Sequence, residues 1–266
     1  MTSNSSDANA SVLEWASLTT CELEQLANQD PLAIVVLGAI EQHGPHLPLS
    51  TDLDIGQGLC RAALANLQPA RPVLVLPPLA VGTSEEHQSF AGTLSVSGVQ
   101  MVGLIEALGG SVAMAGVRRL LLLNAHGGNV AAMNLAALTL RRRHEMLVVK
   151  ANYMALPPPV GVLAADELRC GLHGGQAETA MMLALHPDKV RLDKLEDFDY
   201  GPQTNPSLGP EGEAAWAWLA EDLNEAGVTG QASQATEAQG QALIQHYALA
   251  LRRVISDSLA LAWPPN

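Results

Sequence analysis

Apolar residues along the chain fall into two recurrent patterns. Short, mostly apolar runs at 32–37, 73–76, 119–123 and 146–152 read as buried strands. Between and after them, apolar positions recur at helical spacing, as in Ile55, Leu59, Ala63 and Leu67, or Leu243, Tyr247, Leu251 and Val254. Helices are therefore expected over 55–67, 97–115, the stretch that ends at His144, 176–185, 212–224 and 237–260. A shorter one runs to residue 27, capped by Ser17 or Thr19 with Glu22 and Glu24 in its first turn. The 97–115 helix is expected to break near Gly109-Gly110. Residues 1–11 read as a disordered tail, and 12–266, with no repeat or linker, as a single domain. Buried strands alternating with helices predict an α/β fold with a mostly parallel sheet covered on both faces.

Composition narrows the possibilities. A chain of 266 residues, 48% apolar and only 15% charged, is globular with ample material for a core. Its formal net charge of −13 excludes a nucleic-acid partner, which needs a basic face. Cys21, Cys60 and Cys170 are an odd set at unrelated spacings, which suits a reducing compartment and excludes a thiolate zinc site. The first residues lack a basic segment followed by an apolar one, and no apolar run approaches the roughly 18 residues of a membrane span. A cytoplasmic protein with no membrane partner is expected. Neither a Gly-x-Gly-x-x-Gly after a strand nor a P-loop occurs, so no nucleotide cofactor is expected.

The chemistry-bearing residues cluster in loops that follow strands. Between the first strand and the 55–67 helix, Leu37-Gly-Ala-Ile-Glu-Gln-His-Gly-Pro-His-Leu-Pro-Leu-Ser-Thr-Asp-Leu-Asp54 carries Glu41, His43, His46, Asp52 and Asp54. Gly44, Pro45 and Pro48 forbid a continuous helix there, so an irregular loop is expected. The loop at 80–93 carries Glu85, Glu86 and His87; Asn124-Ala-His-Gly-Gly-Asn129 carries His126; and a glycine-rich loop with its helix carries His173 and Glu178. In a parallel sheet such loops share the carboxyl edge, so residues far apart in sequence can converge. Imidazoles and carboxylates without thiolates suit Zn, Mn or Fe(II). Glu41 and His43, one residue apart in an extended segment, point to the same side, and a carboxylate such as Asp52 has two oxygens with which to bridge two cations. Taken singly, Glu41 is also readable as a solvated loop acid, and Glu178 as an acid placed by the helix dipole. His173 is a candidate general acid or base. A Cys170–His173 nucleophile is disfavoured because no third group orients it.

Three blocks together resemble the creatininase family of metal-dependent amidohydrolases. They are Gly38–Asp52, Asn124–Asn129 and Gly171-Leu-His-Gly-Gly-Gln-Ala-Glu-Thr179, supported by the 82–93 loop and the late Gly227-Val-Thr-Gly230. The resemblance implies a three-layer α/β/α sandwich and a homo-oligomer, often a hexamer. It implies two divalent metal ions held by Glu41, His43, bridging Asp52, His126 and Glu178, with His173 and Glu178 beside them in catalysis. Enzymes of the family that open creatinine carry a tyrosine and a glutamate where this chain has Gly127-Gly128. They also place tryptophans over the substrate from the region between the fourth strand and the glycine-rich loop, where this chain has none. The glycine pair resembles the branch that includes formamidopyrimidine deformylases and the peptidase of mycofactocin maturation. The implied activity is hydrolysis of a C–N bond in a small, formyl or cyclic amide by a metal-bridged hydroxide. The alternatives are a peptidase acting on a modified peptide and a non-catalytic metal-containing binding protein of the same fold.

Overall fold

The structure is a computed structural model, and it describes residues 11–199 and 207–264. Its elements in chain order are β1 (Val12–Glu14), α1 (Thr20–Ala27), β2 (Leu32–Leu37), α2 (Thr51–Leu64), β3 (Val73–Val75), α3 (Gly98–Met114), β4 (Arg119–Asn124) and α4 (Asn129–His144). There follow β5 (Leu147–Asn152), α5 (Ala165–Cys170), α6 (Gln176–Leu185), β6 (Asp197–Phe198), α7 (Ala220–Leu223), β7 (Gly230–Gln231) and α8 (Glu237–Ala260).

Five strands form one sheet in the order β1-β3-β2-β4-β5, and every pairing is parallel. Side chains alternate across a strand, and β2 shows the consequence directly. Leu32, Ile34 and Val36 join a core with α2, α6 and α8, whereas Ala33, Val35 and Leu37 join a second core with α3 and α4. The result is a three-layer α/β/α sandwich. With every β2 residue buried, the unbroken apolar run is what a strand covered on both faces requires. β6 and β7 make a separate antiparallel pair.

Several elements match expectation to within a residue or two at each end. The helix to residue 27 is capped by Thr19, whose side chain accepts from the Glu22 N–H while Glu22 reaches back. Four expectations need correction. α2 starts at Thr51, so Asp52 and Asp54 sit in its first helical turn instead of in a loop; acids are favoured there by the helix dipole. It also stops at Leu64, short of Leu67. α3 runs unbroken through Gly109-Gly110, because at Gly109 it lies directly against α4: a Cβ would stand 2.4 Å from Leu140. That packing offsets the roughly 1 kcal/mol a helical glycine costs. The helix expected over 212–224 shrinks to α7, since its Ala214–Ala217 stretch is exposed and has no core face to bury. α5, β1 and the short β6–β7 pair were not anticipated. Residues 1–10 of the expected tail lie outside the described residues; the carbonyl of Ser11 accepts from the Val73 N–H and extends the sheet edge.

One polar staple ties the start of β4 to the end of the chain's last helix. Arg119, 2% exposed, donates from Nε and Nη2 to Asp30 and from Nη1 to the carbonyls of Ser258 and Leu261. Arg71 pairs with the same Asp30 oxygen from a half-exposed position. Removing Asp30 leaves a buried guanidinium short of acceptors. Asp30→Ala is expected to lower unfolding stability in urea by about 1–3 kcal/mol. Arg71→Ala is expected to cost less than about 1 kcal/mol, as exposed pairs do.

Candidate metal centre

The candidate residues gather at the carboxyl edge of the sheet, where β2, β3 and β4 release their loops. The first loop is held by backbone bonds at both ends: Gly38 N–H donates to Leu79, Ala125 N–H to Leu37 and Glu41 N–H to Leu49, at 2.9–3.0 Å. Gly44 turns the chain at φ +68°, a conformation side chains disfavour, and a Cβ there would also meet Val228 at 2.7 Å. The two asparagines around His126 are cross-braces. Asn124 Nδ2 donates to the His126 carbonyl at 2.7 Å, and the Asn129 amide accepts from Thr83 N–H at 3.0 Å while donating to Gly38 O at 3.1 Å. Gly128 lies so close to the Thr83 carbonyl that a Cβ would stand 2.0 Å away, which accounts for a glycine there.

Asp52 occupies the centre. Its Oδ1 lies 3.2 Å from His43 Nε2 and its Oδ2 lies 3.1 Å from His126 Nδ1. Both imidazoles point their other nitrogen at a carbonyl: His43 Nδ1 to Glu41 O at 3.1 Å, and His126 Nε2 to Thr83 O at 2.7 Å. A carbonyl only accepts, so those nitrogens carry the protons and the nitrogens facing Asp52 are the ligand-ready ones. Glu41 is fully buried, and neither of its carboxylate oxygens has a hydrogen-bond partner among the described residues. A buried carboxylate without hydrogen bonds is costly unless a cation sits beside it, and the imidazole nitrogens nearest to Glu41 are His126 Nε2 at 3.3 Å and His87 Nε2 at 3.5 Å. Ligand atoms converge within 4.8 Å in three groups: Glu41, Asp52 and His126; His43, Asp52 and Glu178; and Glu41, His43 and His173. The donor set and the orphaned oxygens therefore fit divalent metal ions.

The electrostatics carry the same signature. Burial drives the Glu41 carboxyl up to about 8 despite nearby His126. Burial also opposes charge on His43 and His126, but Asp52, Glu178 and Glu41 outweigh it and raise them to about 9 and about 10. Burial would raise Asp52, yet His43 and His126 hold it below the usual carboxylate range. Glu178 is raised by burial, against the pull of His43. Without a cation, this cluster balances its charge by taking up protons, on the Glu41 carboxyl as well as on the His43 and His126 imidazoles. Bound metal requires the opposite, with neutral imidazoles and ionised acids.

Of the remaining candidates, His173 Nε2 donates to the Gln42 carbonyl at 2.7 Å, leaving Nδ1 free and 3.7 Å from Glu41 Oε1. Burial and the neighbouring His43 and His87 keep its pKa well below the usual value. Glu178 Oε2 accepts from Gly174 N–H at 2.7 Å and lies 3.9 Å from His43 Nε2. His46 and Asp54 stand outside the cluster. His46 bonds the Gly174 carbonyl and Thr179 Oγ1 at 3.0 and 3.1 Å, and Asp54 pairs with Ser50 and Lys189. Glu85 is exposed, whereas His87 is buried and stacks on His173 at 4.2 Å between ring centroids, an involvement the spacing of its loop did not single out. A cavity of about 850 Å³ opens above Glu41, Asp52, His126 and Glu178. Tyr153, Tyr247 and Leu168 line it, and so does Trp218, from a segment well beyond the one expected to supply an aromatic wall. Trp218 Nε1 donates to Pro210 O at 3.2 Å. Among the described residues, no helix is long and apolar enough to cross a membrane.

Comparison with known proteins agrees with the fold. The family model described as creatininase, creatinine amidohydrolase, matches residues 16–255. The mycofactocin precursor peptide peptidase of Mycobacterium tuberculosis (strain CDC 1551 / Oshkosh) is 34% identical over 235 residues, covering 82% of this chain and 81% of that protein. A creatinine amidohydrolase of Pseudomonas putida is 31% identical over 210 residues, covering 71% of this chain and 77% of that protein. Among solved structures, a manganese creatininase superposes with a TM-score of 0.75 at 25% identity, covering 96% of this chain and all of that one. Fold and sequence agree, and the chain belongs to the creatininase family of metal-dependent amidohydrolases.

Proposed function

We propose that this enzyme hydrolyses a C–N amide bond at a two-metal centre, with Glu41, Asp52 and His126 holding one divalent ion and His43, Asp52 and Glu178 the other. The observation that carries the reading is Asp52, whose two oxygens face the ligand-ready nitrogens of two different histidines. Nitrogen and carboxylate donors suit Zn, Mn or Fe(II). Bound there, the ions would supply a water acidic enough to ionise near neutral pH. Asp52 orients both sites at once, and Glu41 contributes a buried carboxylate that makes no hydrogen bond among the described residues. His173, with its Nε2 proton committed to Gln42, takes up a proton at Nδ1 and returns it to the leaving nitrogen. Glu178 lies at the same mouth and sets the charge beside that transfer.

The substrate of this reading is a small amide, formyl or cyclic. The cavity volume favours a second occupant, a segment of modified peptide, because about 850 Å³ is toward the upper end of the range for small-molecule sites. The relatives named as peptide peptidases support that second reading. A cytoplasmic homo-oligomer is part of the proposal. Three free thiols support the compartment, and the exposure of Met114, Leu135 and Leu138 on α3 and α4 supports association.

Metal analysis of purified protein is expected to return two divalent ions per chain, and Asp52→Asn to lose both on gel filtration while remaining folded. Unchanged stoichiometry in Asp52→Asn contradicts the shared-carboxylate reading. Chelation should lower the melting temperature of the wild type, since ions that bind only the folded chain stabilise it. A screen over formamides, cyclic ureides and short peptides should reveal amine release by the metal-loaded enzyme. On the substrate found, His173→Ala should lower kcat by about 10²–10⁴ with metal content retained. Equal kcat in the two proteins would remove His173 from the proton transfer.

A further inference from the structure

Glu167, on α5, is 3% exposed and, among the described residues, has no Lys, Arg or His within ion-pairing distance. Its carboxylate is satisfied by backbone alone: Oε1 accepts from Ala177 N–H at 3.2 Å and Oε2 from Gln231 N–H at 2.8 Å. Those two donors lie in the first turn of α6, which follows the glycine-rich loop, and in β7, which directly follows the Thr229 that pairs with His173 of that loop.

Three glycines surround this one carboxyl group. A Cβ at Gly171, Gly175 or Gly230 would stand 2.3, 2.5 or 2.6 Å from it. Gly171 and Gly175 have ordinary backbone angles, with φ −79° and −81°, that any residue adopts. Conformational freedom therefore does not account for glycine at these two positions; the Glu167 carboxylate does. The chain has cleared space on three sides so that an uncharged backbone can close around a buried acid.

What that closure holds is the far half of the metal centre. The loop between Gly171 and Gly175 carries His173, whose carbonyl accepts from Thr229 N–H at 2.8 Å, one residue before Gly230. Leu172 N–H donates to Thr229 Oγ1 at 3.1 Å, and Gly174 N–H donates to Glu178 Oε2 at 2.7 Å. Glu178 follows Ala177, the residue whose N–H Glu167 accepts. We infer that Glu167 is a positioning residue, whose buried carboxylate locks the loop of His173 and the first turn of α6 so that Glu178 is held at its ligand position opposite His43. This rests on the two-metal reading above. A glutamine cannot substitute, because its amide would turn an NH₂ group toward a backbone donor.

The test is a two-site Zn(II) titration against a chromophoric chelator, with melting of the metal-free proteins followed in parallel. In Glu167→Gln the second ion, at His43, Asp52 and Glu178, should bind about 10–100-fold more weakly, as when a group that orients a ligand is lost. The first ion should bind as in the wild type, and the metal-free protein should still fold and melt cooperatively, at a temperature lowered only by the loss of the buried hydrogen bonds. Gly171→Ala should reproduce the effect by displacing the carboxylate, and adding it to Glu167→Ala should cost nothing more, because the methyl group fills vacated space. Wild-type titration curves for both Glu167→Gln and Gly171→Ala overturn the inference. So does equal weakening of both ions with a collapse of metal-free melting, which marks a purely structural acid. A wild-type protein that takes up a single ion overturns the two-metal reading itself, and this inference with it.

Discussion

Asp52 stands between two imidazoles that each turn a nitrogen toward one of its oxygens, and most of the molecule's architecture serves that arrangement. Lone pairs against a carboxylate at 3.1 and 3.2 Å repel unless protons or cations intervene. Holding such a cluster therefore needs rigid support, and the parallel sheet provides it. Asp52 sits on the first turn of α2, which packs on the sheet and on α8, while His43 and His126 leave the ends of the adjacent strands β2 and β4. Neighbouring strands in register bring their carboxyl ends together, so the two histidines face one helix turn from fixed positions.

The loops around the cluster are fastened largely through backbone groups. Asn124, Asn129, Gln42 and His46 each spend side-chain capacity on a main-chain carbonyl or N–H, and Glu167 does the same with a charge. Glycines at 82, 128, 171 and 175 allow those main chains to approach within distances that any Cβ would block. Irregular backbone is thereby made as specific as a helix. Positioning of this kind matters for catalysis, because a reacting group displaced by an ångström loses much of its effect.

Strands β2 and β4 were legible from the sequence because both faces of the sheet are covered, which leaves an apolar run through all of β2 and through the four leucines of β4. The candidate ligand residues were legible because imidazoles and acids crowd loops that follow those strands. The location of Asp52 was misread as loop, since Thr51 to Asp54 is a weak helical signal until the dipole and the tertiary contacts of α2 are added. Trp218 and Tyr247 could not be placed beside the cavity, as only the tertiary fold brings the 207–219 segment and α8 over the site. Glu167 left a faint trace, glycines at 171, 175 and 230 that no turn type demands in common. Nothing linear ties those glycines to an acid on a six-residue helix.

The central claim is a pair of metal ions bridged by one carboxylate, and anomalous diffraction from crystals of the metal-loaded protein tests it most directly. The account predicts two anomalous peaks roughly 3.5–4 Å apart. One should lie among Glu41, Asp52 and His126 and the other among His43, Asp52 and Glu178, with a different Asp52 oxygen on each. A single peak, or two peaks with Asp52 coordinating only one of them, would contradict it.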